Sequence, residues 1–276
     1  MLERIGVGAV EALFRTVPDK LRLDRALDLP AGHSEQEVLA RLEALAASNV
    51  NAAQSDWFLG AGTYAHFLPS AVDSLVSRAE FTTSYTPYQA EISQGTLQAV
   101  FEWQTMCCGL TGLEVANASM YDGASATAEA ALMAMRVTRR NRVAVAEGLH
   151  PHYREVLTTY LGGLGAEIVD VARSAGGTTA PPELGDDVAC WIVQQPDFLG
   201  TVNDLGAHAE AAHAAGALLV VTVTEALSLA LLRAPGDAGA DIVCGEAQSF
   251  GVPMAYGGPH LGFLASRMKF VRQMPG

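Results

Sequence analysis

From Glu114 onward the sequence alternates short apolar segments with longer stretches of helical periodicity, and this alternation restricts the fold more than any other feature. Neighbouring parallel strands need a crossover, and a helix laid on the sheet supplies it, so the pattern predicts a mostly parallel α/β sheet covered on both faces. Strands are predicted over Val115–Ala118, Arg142–Ala146, Glu167–Val171, Val188–Val193, Leu218–Thr222, Asp241–Cys244 and Gly262–Ala265. Helices are predicted over Ala124–Arg136, Tyr153–Leu161 and Leu205–Ala215. Asn203 or Asp204 is placed to cap the last of these and Gly216 to end it. Right-handed crossovers carry many loops to the carboxyl ends of the strands, where open α/β sheets bind ligands. The chain has no phosphate loop of the G-x-x-x-x-G-K-[ST] type. Gly162-Gly163-Leu164-Gly165 follows a helix and precedes a strand, the reverse of the dinucleotide-binding order, and reads as a helix-ending turn.

The first hundred residues have a different texture, mainly helices and ordered connections. Val38, Leu39, Leu42 and Leu45 fall at helical intervals in Glu35–Ala47, behind Ser34 as N-cap with Glu37 three residues on. Trp57–His66 is aromatic and glycine-rich rather than periodic, fit either for aromatic packing or for close approach to a ligand or another chain.

A formal charge of −13, from 30 acidic and 17 basic residues, opposes nonspecific attraction to nucleic acid or an anionic membrane, though not a local pocket for a small anion. The densest apolar run, Ala217–Thr224, has the length of a strand, not of a membrane span. With no secretion signal at the amino terminus, a cytoplasmic location is the default expectation. Cys107, Cys108, Cys190 and Cys244 lack metal-site or redox spacing and read as buried thiols. The seven histidines form no H-E-x-x-H pattern, so no metal site is expected; His150, His152, His208 and His213 suit capping, supporting or surface roles.

Three segments carry candidate chemistry. Asn117–Ala124 passes from a strand into a helix, so Tyr121, Asp122 and Gly123 could bring polar groups and free amides to a pocket mouth; an ordinary turn with Asp122 as cap fits equally well. Tyr85–Gly95 supplies Tyr85, Tyr88, Gln89, Glu91 and Gln94 around Pro87, fit to edge a pocket shared with another subunit or simply to pack. Ala240–Gly262 runs from an apolar strand into a glycine-rich loop that could present an amine to an aldehyde cofactor. It presents Gln248 instead, and an amide cannot condense with an aldehyde. Lys20, in the helical amino-terminal region, and Lys269, beyond the last strand, are the chain's two lysines, and neither has a promising catalytic setting.

The motifs Phe58–His66, Arg78–Gly95, Phe101–Thr105, Asn117–Gly123 and Gly245–Pro253, continuing to Gly262, resemble the P-protein of the glycine cleavage system. The resemblance is specifically to subunit 1 of the two-subunit bacterial glycine dehydrogenase (decarboxylating), and it covers almost the whole sequence. It implies a fold-type I pyridoxal-phosphate-dependent transferase-like large domain over residues 101–276. Residues 1–100 would form a helical region with partner-contact segments, and a smaller carboxyl-terminal domain would lie beyond Gly276. It further implies a non-lysine-bearing subunit that joins subunit 2, in a heterotetramer with two copies of each, to decarboxylate glycine and transfer its aminomethyl group to the lipoyl arm of H-protein. Pyridoxal 5'-phosphate would be held covalently by a lysine of subunit 2. Gln248 would then mark the subunit, with His66, Tyr85, Tyr88 and Gln89 as pocket-edge residues and Tyr121 and Asp122 as further candidates. The alternatives are a structural assembly subunit without catalytic contacts and a self-sufficient aminotransferase.

Overall fold

Alternating side chains divide the core into two layers. In Arg142–Ala146 (β2), Val143 and Val145 enter one apolar cluster while Ala144 and Ala146 enter the other; Cys190 and Ile192 part from Trp191 and Val193 in the same way. A strand buried on both faces reads as continuously apolar, and Val188–Gln194 (β4), Leu218–Val223 (β5) and Ile242–Glu246 (β6) are buried along their whole length. The structure, a computed structural model, describes residues 1–51, 54–83, 85–174 and 177–275. Ser84, inside the tyrosine-bearing motif, and Gly276, where a boundary before a further domain is expected, lie outside the described residues.

With Val115–Ala116 (β1), Glu167–Val171 (β3) and Gly262–Ser266 (β7), the strands among the described residues form a seven-stranded sheet in the order β1-β7-β6-β5-β4-β2-β3. The run β3-β2-β4-β5-β6 is parallel throughout. β7 lies antiparallel to β6 and to β1. β1 stops two residues short of its predicted end. The Asn117 side-chain oxygen takes the Leu264 amide that the ladder would otherwise use, 3.2 Å away, and pairing resumes only as a bridge between Met120 and Gly262.

The helices, in chain order, are Leu2–Ile5 (α1), Glu35–Ala46 (α2), Ser70–Val76 (α3), Ala79–Thr82 (α4), Ala90–Thr111 (α5), Gly123–Thr138 (α6), Pro151–Gly162 (α7) and Leu205–Ala214 (α8). α6 and α7 cover one face of the sheet. The alanines of α6, with Met133, let its backbone lie close to the strands, and Leu157 and Leu161 of α7 fill the space beside it. On the other face Leu205, Ala209 and Ala212 of α8 pack with Cys107 of α5 and with Trp191. Asp204 caps α8 by accepting from the Gly206 amide, and Gly162–Gly165 forms the turn after α7, both as predicted.

The chain falls into two compact units, Met1–Asp56 and Trp57–Gly276. In the first, the Ser34–Glu37 capping box forms: the Glu37 carboxylate accepts from the Ser34 amide and hydroxyl at 2.8 Å, and those bonds hold its pKa below the usual value. All four cysteines are free, with Cys107, Cys190 and Cys244 buried; burial pushes the Cys107 thiol up to about 12. Among the described residues, no helix is long and apolar enough to cross a membrane and no side-chain cluster has the makings of a metal site.

Candidate functional site

The parallel strands end together on one edge of the sheet, and the start of α6 meets them there. Asp122 caps α6: its carboxylate accepts from the Ser125 amide at 2.6 Å while the Ser125 hydroxyl returns a bond to the Asp122 carbonyl. Thr127, one turn in, lies 3.2 Å from Thr222 on β5. A cleft of about 200 Å³ opens beside this helix start, with Asp122, His150, His152, Tyr153, Glu246 and His260 among its lining residues.

Glu246, at the carboxyl end of β6, organises the cleft. Its carboxylate accepts from three backbone amides: Gly123 at 3.0 Å, Gln248 at 3.0 Å and Leu261 at 2.8 Å. Three such bonds compensate the burial of a charge that would otherwise be costly. His260 Nδ1 stands 3.8 Å from the same carboxylate and has no hydrogen-bond partner among the described residues. Tyr153 is pushed well above its usual pKa, first by burial and then by the negative charges of Glu246 and Asp122.

His150 joins the glycine-rich segment to this edge. Its backbone amide donates to the Gln194 side chain at 2.8 Å, and its Nδ1 accepts from the His152 amide at 3.1 Å, capping α7. Nδ1 must therefore be unprotonated, so Nε2 carries the hydrogen and donates it to the Ala61 carbonyl at 2.8 Å. Burial, the largest cause, holds the ring below its ordinary value of 6.5; neighbouring His152 lowers it further and the Ala61 bond opposes both. His208, buried against Trp191, is lowered by burial as well. In both cases the unfolded chain takes up protons first as pH falls. Their contribution to stability is therefore complete above the unfolded value of 6.5 and is lost as pH drops from there toward the folded values. The thermal midpoint should fall between about pH 7 and about pH 5.5, and His150→Gln should flatten part of that slope. Melting curves across this range for both proteins check it; parallel slopes would remove His150 as a contributor.

The sequence-predicted residues separate into several places. His66 Nε2 pairs with the Glu225 carboxylate at 2.8 Å, and the other oxygen of Glu225 accepts from Ser249 at 3.1 Å, next to Gln248. Tyr85 and Tyr88 are 87% and 80% exposed, their ring centroids 6.4 Å apart. Tyr85 lines a separate groove with Thr86, Pro87 and Ile92, and Gln89 stands at the N-cap of α5 without a capping side-chain bond. Tyr121 is exposed over a third hollow formed with Met120, Glu129 and Tyr160. Of the predicted set, Asp122 lies in the cleft. Glu246, Glu225, Tyr153 and His260 were not singled out from the sequence; a glutamate closing an apolar strand two residues before Gln248 was the available signal for the first of them.

Gln248 is 5% exposed and its side-chain amide donates to the Val252 carbonyl, so it is turned into its own loop. Lys269 does not substitute for it. Lys269 pairs with Asp241 at 3.7 Å, at the amino end of β6 and so on the opposite edge of the sheet, and Lys20 belongs to the Met1–Asp56 unit.

The family model for the glycine cleavage system P-protein matches residues 1–276. The chain belongs to the glycine cleavage system P-protein family. Within it, this chain is 52% identical over 279 residues to a protein from Desulforamulus reducens and 55% identical over 280 residues to one from Anaeromyxobacter dehalogenans. Both are named probable glycine dehydrogenase (decarboxylating) subunit 1. Each comparison covers 100% of this chain and 62% of the relative, so the chain spans about three fifths of the length of the curated P-protein relatives it matches. The crystal structure of glycine decarboxylase (P-protein) of the glycine cleavage system in inhibitor-bound form superposes with a TM-score of 0.93 at 51% identity, over 100% of this chain and 62% of that one. A sphingosine-1-phosphate lyase from Burkholderia pseudomallei, 13% identical with a TM-score of 0.62 over 90% of this chain and 62% of that one, shares the fold. The expected fold-type I transferase-like α/β domain is thus what the P-protein chain adopts.

Pyridoxal phosphate, implied for the complete P-protein, does not fit this chain's cleft. None of the described residues that line it is a lysine, the nearby Gln248 amide is turned into its own loop, and the Glu246 carboxylate, already bonded to the Gly123 amide, would oppose a phosphate there.

Proposed function

We propose that this chain is the non-lysine-bearing subunit of a two-subunit glycine dehydrogenase (aminomethyl-transferring). The complete enzyme would decarboxylate glycine and pass its aminomethyl group to the lipoyl arm of H-protein. Subunit 2 would hold pyridoxal phosphate through its own lysine, in a cytoplasmic heterotetramer with two copies of each subunit. The buried amide of Gln248, turned into its own loop where a cofactor-holding subunit needs a lysine, is the observation that carries the reading.

The chain's own contribution is to close and shape a pocket completed by the partner. Residues 1–100 include the partner-contact segments in this reading, with residues 101–276 as the α/β large domain. Phe58, Leu59, Tyr85, Tyr88 and Ile92 are all strongly exposed, an apolar set of the kind that a partner surface covers. The His150–Ala61 and His66–Glu225 bonds fasten the glycine-rich segment at its middle and its carboxyl end, so that it can exclude water and orient a substrate without having to order itself first. Tyr85, Tyr88 and Gln89 would edge the pocket from this side, with Tyr121 and Asp122 farther along the chain.

The test is reconstitution of the chain with subunit 2, pyridoxal phosphate and lipoylated H-protein, following glycine-dependent aminomethyl transfer. The isolated chain should give little turnover and the complex full turnover. Tyr88→Ala should lower transfer by about tenfold to a hundredfold with assembly intact, and Tyr88→Phe by less. Unchanged transfer in both variants would remove Tyr88 from the site and favour the purely structural reading.

A further inference from the structure

We propose that Glu246 is a built-in anion: its carboxylate occupies the amide cradle at the start of α6 and so bars phosphate groups, a cofactor phosphate included, from this subunit. The inference rests on the reading of the chain as the subunit without the cofactor, and it supplies a cause. An α-helix that starts at the carboxyl edge of a parallel sheet offers unpaired amides and the positive end of its dipole, which together favour an anion. In this chain the anion is covalently present.

Three segments converge on it: the α6 start through Gly123, the loop after β6 through Gln248 and the approach to β7 through Leu261. The approach is too close for any side chain on the helix. A Cβ at Gly123 would overlap the Tyr153 hydroxyl and lie 2.9 Å from both the Glu246 nitrogen and the Gly245 carbonyl carbon. Beyond Ala124, two further amides are committed as well, Ser125 to the Asp122 carboxylate and Ala126 to the Asp122 carbonyl. An incoming phosphate would therefore find two carboxylates at the helix start, one of them filling its place. At such short range like charges repel strongly, the more so where burial limits solvent screening. Of the two, Glu246 is decisive because it alone links the helix to both loops that shape the cleft. Cofactor would then be directed to the partner by charge as well as by the missing amine, and this subunit's fold would be closed without a ligand.

Amide hydrogen exchange read by mass spectrometry isolates this chain's peptides even inside the assembled complex, so the outcome does not depend on turnover. The peptides spanning 120–127, 244–250 and 258–264 are followed with inorganic phosphate and with chloride at matched ionic strength. In the wild type, phosphate should change none of them. In Glu246→Ala the same peptides should exchange about tenfold faster or more, and phosphate but not chloride should slow them again. Phosphate protection of the wild-type peptides would overturn the proposal, as would a folded Glu246→Ala that phosphate fails to protect. Should Glu246→Ala not fold, Glu246→Ser empties the cradle while leaving a small polar side chain on β6. Phosphate must then protect the 120–127 peptide of that variant, and its failure to do so would equally overturn the proposal. Loss of aminomethyl transfer with these exchange results unchanged would count against the functional reading alone.

Discussion

Gly245→Ala is expected to leave no cooperatively folded protein. Gly245 sits in β6 opposite Val223 of β5 and Phe263 of β7, inside the sheet. A Cβ there would overlap the Val223 carbonyl oxygen and lie 2.8 Å from its carbon and 2.9 Å from the Val223 nitrogen. All three atoms are backbone, so no rotamer change relieves the overlap. β5 cannot retreat, because its far side is paired with β4 from Leu218 to Thr222. Glycine within a strand often marks such close backbone approach, and here it also sets the position from which Glu246 reaches Gly123. Gly109 provides the control. It lies within α5 with nothing within 4 Å of an added Cβ, so Gly109→Ala should stabilise by about 0.5–1 kcal/mol through its gain in helix propensity. Soluble yield, circular dichroism and thermal melting of the two variants make the comparison. A wild-type melt for Gly245→Ala would mean that β5 and β6 can separate at this point.

Most of the strand cores were legible because a strand buried on both faces needs an unbroken apolar run, as in Arg142–Ala146; the edge strand Glu167–Val171, with Glu167 and Asp170 exposed, is likewise observed with its predicted bounds. β1 was shortened by a polar side chain competing for a ladder amide, which no strand propensity encodes. The spatial order of the strands, and the reversal of β7 between β6 and β1, arise from pairings distant in sequence and left no local mark. The same division holds at the site. Asp122 was legible because a cap and its amide are three residues apart, and Gln248 because a family motif surrounds it. Glu246 joins amides up to 123 residues away, and His66 meets Glu225 across 159 residues. Neither partnership has a local period or spacing from which it could be read.

Trp191→Ala should cost about 3–5 kcal/mol, as expected for emptying a large buried aromatic site. Trp191 is fully buried on β4, and its indole N–H donates to His208 Nδ1 on α8 at 3.0 Å. This bond adds direction to apolar packing that would otherwise let α8 slide on the sheet. Trp191→Phe retains much of the volume but leaves the His208 acceptor unpaired, and His208→Leu leaves the indole donor unpaired. Each should carry about 1–3 kcal/mol for the stranded polar group in addition to any packing change. The double variant strands neither group, so its loss should fall short of the sum of the single losses by at least about 1 kcal/mol. Denaturant unfolding of the four proteins gives that coupling directly. Additivity to within a few tenths would assign α8 docking to Leu205, Ala209 and Ala212 alone, whereas strong coupling makes a buried polar pair the device that fixes the helix in register against β4.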